Sequence, residues 1–226
     1  MDEIPSVKEI FNEILSRTKW KDLATRVKAD PRIIGTVFPQ LEREAWDRYN
    51  EYEATVKEKW KSKKSLDVLE NSLRQGRQPR GGYSSELIFQ HLLTLSEIHS
   101  NRWVKYPEWE EGEQLDIVIP SKVIMYSDPA KTVVISIKRR VRERWREVVG
   151  EAYILREIHK YGGRIFFVTF EADLEAYAVQ SLQKLNVSVY TPESHSSRYS
   201  AYGVRPVASI VADLVALMDT GELAKA

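Results

Sequence analysis

Residues 136–151 read SIKRRVRERWREVVGE, and the fold turns on how this run divides. Its start finishes an apolar stretch, Thr132 to Lys138 (TVVISIK), with the β-branched composition of a strand. Its end sets Val148, Ala152 and Leu155 on one stripe of a helix expected from about Arg142 to Tyr161, closed by Gly162-Gly163. Going outward, Gln114 to Ile119 (QLDIVI) and Arg164 to Phe170 (RIFFVTF) read as strands. Asp173 to Leu185 reads as a helix, Val187 to Tyr190 as a short strand, and Pro206 to Met218 as a closing helix. Strands alternating with helices predict an α/β core whose sheet is covered on both faces and is at least partly parallel.

Upstream the period is helical. Val7, Ile10, Phe11, Ile14 and Leu15 form one stripe behind Pro5, and Trp20, Leu23 and Val27 suit a second short helix stopped by Pro31. A loop is expected at Gly35 to Pro39. A long charged helix from Gln40 to about Lys64 then carries Leu41, Ala45, Trp46, Tyr49, Tyr52, Val56 and Trp60 on one side. Those aromatics face either this protein's own core, the favoured reading, or a partner subunit. The glycines, proline and arginines of Asn71 to Gly82 (NSLRQGRQPRGG) predict a loop and a boundary, dividing a helical region 1–70 from a second part, 71–226. Ser84 or Ser85 is then read as the cap of a helix running to about His99.

Composition narrows the chemistry. With 226 residues, 42% hydrophobic and 30% charged, the chain can bury a sizeable core in one or two domains. No apolar run approaches the ~18 residues of a membrane helix, and MDEIPSVKEI has no apolar signal core. There is no cysteine, which excludes disulfides, thiolate zinc sites and thiol nucleophiles. Four histidines without paired spacing leave little for a histidine-built metal site, and a net charge of +1 identifies no partner.

Local patterns carry more. Ser136 and Lys138 leave the same face of their strand, although a lysine ending an apolar strand is also how a chain emerges into solvent. Asp116 interrupts the apolar run Leu115 to Ile119, and a carboxylate there needs a partner, either a metal ion or Lys138. Glu151 lies three residues after Val148 and four before Leu155, on the inner side of its helix, where a shared cation or an internal salt bridge would satisfy it. Glu86 falls in the expected first turn of its helix, where the dipole favours a carboxylate in any case. Convergent carboxylates with a lysine suit phosphodiester hydrolysis assisted by Mg²⁺, a hard cation that prefers oxygen ligands. Lys138, Arg139, Arg140, Arg142, Arg144 and Arg146 put six cations in nine residues with Glu143 the only acid. Arginine pairs with guanine and glutamate accepts from cytosine, so the Arg142-Glu143-Arg144 triplet suits a C·G-rich edge; a solvated basic helix end is the plainer reading.

At these residues the chain resembles the type II restriction endonucleases of the EcoRII catalytic-domain group, whose members read CCGG, CCNGG or CCWGG. Asp116, Ser136-Ile137-Lys138 and Glu151 match a variant PD-(D/E)XK pattern in which a helix glutamate replaces the acid before the lysine. Lys138, Arg142, Glu143, Arg144 and Trp145 match K-x(3)-[RK]-[DE]-R-W. NSLRQGRQPRGGYSSELIFQHLL (71–93) is similar to the family's Arg-rich loop and the helix bearing its upstream glutamate, here Glu86, and DIVIPS (116–121) to its D-x-x-x-P-S. Leu115 departs from the usual proline, and Arg139 and Arg140 from a small polar pair.

The resemblance implies a PD-(D/E)XK core, with a mixed central sheet flanked by helices and a helical N-terminal subdomain serving dimerisation or DNA embrace. It implies a type II site-specific deoxyribonuclease acting on double-stranded DNA at a short, (pseudo)palindromic CC/GG site. Asp116, Glu151 and Glu86 would be Mg²⁺ ligands and Lys138 the catalytic lysine. Arg142, Glu143 and Arg144 would contact DNA together with Arg139, Arg140, Arg77 and Arg80. A homodimer, a cognate DNA methyltransferase and a cytoplasmic, prokaryotic setting away from membranes belong to the same expectation. A structure-selective repair or recombination nuclease of this fold and a non-catalytic DNA-binding regulator are the alternatives.

Overall fold

The computed structural model describes residues 4–61, 66–106, 114–139, 141, 144–170 and 174–225, with residues 66 and 78 described by backbone alone. Helices α1 (Val7–Leu15), α2 (Leu23–Ala29), α3 (Ile34–Trp60) and α4 (Leu66–Leu95) precede strands β1 (Asn101–Val104) and β2 (Leu115–Ile119). Helix α5 (Lys122–Ser127), β3 (Val133–Lys138), α6 (Trp145–Tyr153), β4 (Arg164–Thr169), α7 (Ala176–Lys184) and β5 (Val187–Thr191) follow. A short α8 (Glu193–Ser196), a two-residue β6 (Arg205–Pro206) and α9 (Ile210–Asp219) close the chain. Among the described residues no helix is long and apolar enough to cross a membrane.

Among the described residues, six strands form one sheet in chain order. β1, β2 and β3 pair antiparallel, and β3 to β6 pair parallel, so the sheet is mixed, as expected. Alternation along the strands divides the core in two. Ile117, Ile135, Ile137, Phe166 and Val168 face α1 to α4 and α9, and Val118, Val134, Ile165 and Phe167 face α5, α6 and α7. Asp116, Ser136 and Lys138 share the parity of Val118 and Val134 and so project on the α6 side. On α3, Leu41, Ala45, Tyr49 and Val56 are buried and Trp46, Tyr52 and Trp60 pack partly covered against the core, which is the own-core reading of that aromatic stripe.

Three local expectations are corrected. The loop at Gly35 to Pro39 is the first part of α3. Proline removes only one ladder donor there. Gly35 allows a close approach, since a Cβ there would sit 3.3 Å from the Ala208 amide before α9 and Ala208 would have to give way by a few tenths of an ångström.

The loop at Asn71 to Gly82 is likewise helix, the middle of α4, with Pro79 inside it. Burial of Leu69 and Leu73, together with ionic contacts to α3, outweighs the local cost of glycine and proline. Ser84 and Ser85 therefore cap nothing. Ser85 is buried in mid-helix and donates to Glu42 Oε1 at 2.5 Å.

The helix after β3 is shorter than expected: α6 runs Trp145–Tyr153 and continues as a π-type turn over Ile154–Ile158.

Candidate active site

The second residue of β2 is a carboxylate in a strand whose other four residues are buried. Pairing of Ile117 with Ile135 sets the register that brings Asp116 beside Ser136. Asp116 Oδ2 accepts from the Ile137 amide at 2.8 Å, from Lys138 Nζ at 3.3 Å and from Ser136 Oγ at 3.4 Å. The two charged side chains are only 17% and 12% exposed, respectively. One oxygen of Asp116 is thus fixed by three donors, and a largely buried ammonium stands against it. Lys138 is the partner that Asp116 requires.

Glu86 joins them from α4. It lies in the helix interior and not in a first turn, so the dipole argument for it falls. Its Oε2 accepts from the Trp103 indole Nε1 at 2.5 Å. Burial first, and the Asp116 charge second, push its carboxyl up to about 7, against the opposing pull of Trp103, Arg102 and Lys138. Arg102 lies 5.0 Å from the Tyr83 ring centre and 5.1 Å from that of Trp103, and its Nε and Nη1 are buried without a hydrogen-bond partner among the described residues. Sequence reasoning passed over Trp103 and Arg102. They stand on a four-residue edge strand, too short to show a period.

Glu151 is half-buried on α6, which covers the face from which Asp116 and Lys138 project. It is not gathered with Asp116 and Glu86, since no three His, Cys, Asp or Glu side chains among the described residues form a metal-holding group.

The predicted DNA-contacting arginines separate. Arg77 is engaged with the buried Glu53, its Nε donating to Oε2 at 2.9 Å, and so bridges α4 to α3. Arg80 stands 5.1 Å from the Tyr49 ring centre, and Arg139 4.7 Å from that of Trp46 and 3.4 Å from Glu42. These residues line an open groove between α1, α3 and α4. Arg144 pairs with Glu147 at 3.1 Å on the exposed start of α6. Arg140, Arg142 and Glu143 lie outside the described residues.

A mixed sheet flanked by helices in this way is the fold of known restriction endonucleases. The chain matches the EcoRII C-terminal family over residues 39–212. Among solved structures, it superposes on the complex of restriction endonuclease PspGI with substrate DNA with a TM-score of 0.82 and 29% identity, covering 96% of this chain and 94% of that one. A metal-depleted complex of Ecl18kI with uncleaved, modified DNA aligns with a TM-score of 0.74 and 17% identity, over 100% of this chain and 83% of that one, a likeness of fold. No curated protein matches the sequence. The chain belongs to the EcoRII C-terminal family and is an EcoRII-like type II restriction endonuclease.

Proposed function

We propose that the protein hydrolyses phosphodiester bonds of double-stranded DNA at a short, (pseudo)palindromic site containing CC/GG, as a Mg²⁺-dependent homodimer with a PD-(D/E)XK-type centre. The observation that carries this reading is the convergence of Asp116, Lys138 and Glu86 at the ends of β2 and β3 and the middle of α4. A protein two-fold would match the symmetry of such a site.

The residues fit a hard divalent cation. Both candidate donors are carboxylates, and the Asp116 charge is felt strongly enough at Glu86 to hold back its ionisation, a repulsion that a cation between them would relieve. Two carboxylates with substrate phosphate oxygens are a usual set for Mg²⁺. Asp116 and Glu86 would hold the ion, and Glu151 is proposed as a further ligand from α6. When bound, the ion polarises the phosphate and lowers the pKa of an attacking water.

The chain's own contribution is positional and electrostatic. The Ile137 amide and Ser136 hydroxyl hold Asp116 on one oxygen. Lys138 Nζ, tethered to that oxygen, supplies a fixed positive charge where negative charge develops on the phosphate. Base reading is assigned to Arg142, Glu143 and Arg144. Arg139, Arg140, Arg77 and Arg80 contribute DNA contacts, with Arg77 first committed to Glu53. The setting is a restriction system with a cognate methyltransferase in a prokaryotic cytoplasm.

Plasmid digestion tests the reading. With Mg²⁺ the protein is expected to give discrete fragments, and run-off sequencing of their ends to give one CC/GG-containing motif. With EDTA the plasmid should stay intact. Cleavage confined to branched DNA, or no cleavage with any divalent ion, would overturn the assignment.

A further inference from the structure

Trp103 has three features that do not follow from packing. First, its backbone is left-handed, at φ 54°, a region that a bulky side chain enters only under strain. Second, β1 pairs with β2 through Arg102 with Ile117 and Val104 with Leu115, so the register sets Trp103 opposite Asp116, and that position is missing from the ladder. Third, Trp103 is 43% exposed, yet its indole N–H is spent on Glu86 Oε2 at 2.5 Å. A tryptophan placed for burial would keep the pleat and point into a core. This one leaves the pleat, gives up cross-strand pairing beside one site carboxylate and turns its donor to the other. Its ring rests 4.8 Å from that of Tyr83, one turn before Glu86 on α4, and Arg102 packs on both rings.

We infer that Trp103 is a positioning residue that brackets the two site carboxylates, its backbone keyed opposite Asp116 and its indole N–H holding one oxygen of Glu86 so that the other is presented to a divalent cation. The inference rests on the nuclease reading above. It assigns to the short edge strand β1 a role in the site that the matched motifs do not include. A held carboxylate loses less rotamer freedom on binding a cation, and partners of this outer kind typically cost about 10–100-fold in metal affinity or activity when removed.

Two measurements test it on the full-length protein. Trp103→Phe keeps a six-membered ring against Tyr83 and Arg102 and removes the donor together with the five-membered ring. The Mg²⁺ concentration for half-maximal plasmid cleavage should rise about 10-fold, while the melting temperature in EDTA stays within about 2 °C. Independently, the indole N–H resonance of Trp103, identified by its absence from the variant's ¹H–¹⁵N spectrum, should shift in Glu86→Gln and on adding Mg²⁺ to the protein alone. An indole resonance indifferent to Glu86→Gln, an unchanged Mg²⁺ requirement, or a lower melting temperature with cleavage reduced equally at every Mg²⁺ concentration would each overturn the role. A chain in which Lys138→Ala cuts like the parent would instead sink the nuclease reading, leaving the spectroscopic result to stand on its own.

Discussion

At the scale of the residue, Glu86 carries the clearest titration signature. Its carboxyl is pushed up to about 7 from an ordinary 4.5, by burial and then by Asp116. The folded protein therefore holds this proton more tightly than the unfolded chain. Stability is full below pH 4.5, falls as the pH rises to 7 and stays reduced above it. In metal-free buffer Glu86→Gln should melt higher than the parent at pH 8 and level with it at pH 4. The gain should be about 1–2 kcal/mol once its partial exposure is discounted. Equal differences at both pH values would contradict the assigned surroundings. Asp116 and Lys138 were legible as candidates because a charge at either place in an apolar strand demands an explanation. Trp103 was not legible, since its role depends on a left-handed backbone and a register that only three-dimensional pairing reveals.

At the scale of the element, the long helices are where sequence and structure part. α3 and α4 run through Pro39 and Pro79 because the two helices hold each other. Glu53 is buried between them. Burial alone would raise its carboxyl, but hydrogen bonds from Arg77 and then Lys57 outweigh this and hold it near 2. Glu53→Ala should cost about 2–3 kcal/mol in urea unfolding, toward the lower end for a broken buried pair because Arg77 and Lys57 can rehydrate. A loss under about 0.5 kcal/mol would show that the pair does not hold the helices. No local pattern pairs residues 53 and 77, so composition alone read this stretch as a loop. The glycines before β4 were read as a helix stop, but the helical turns end at Ile158 and the left-handed residue after them is Lys160, so the structure gives Gly163 a different reason. A Cβ on Gly163 would collide with the Tyr161 hydroxyl and the Thr132 carbonyl oxygen, so Gly163→Ala should lower stability by about 3 kcal/mol, read as a fall in melting temperature. An unchanged melting temperature would mean that this turn is not packed as described.

At the scale of the whole molecule, the alternation of strands and helices after residue 114 was sufficient to predict a covered, partly parallel sheet, and the sheet is mixed with helices on both faces. The antiparallel edge strand β1 went unread because four residues show no period. The assembly is a proposal of the same scale: sedimentation equilibrium should return twice the monomer mass, and a monomer at micromolar concentration would separate this chain from the two-fold reading of its target. The proposed cleavage centre depends on the meeting of Asp116 and Lys138. Single-turnover cleavage of a duplex carrying the motif found by digestion tests that most directly. Asp116→Asn and Lys138→Ala should each slow cleavage by about 10²–10³-fold or more while still retarding the duplex in a gel. Parent-like rates in either variant would place the cleaving centre elsewhere in the molecule.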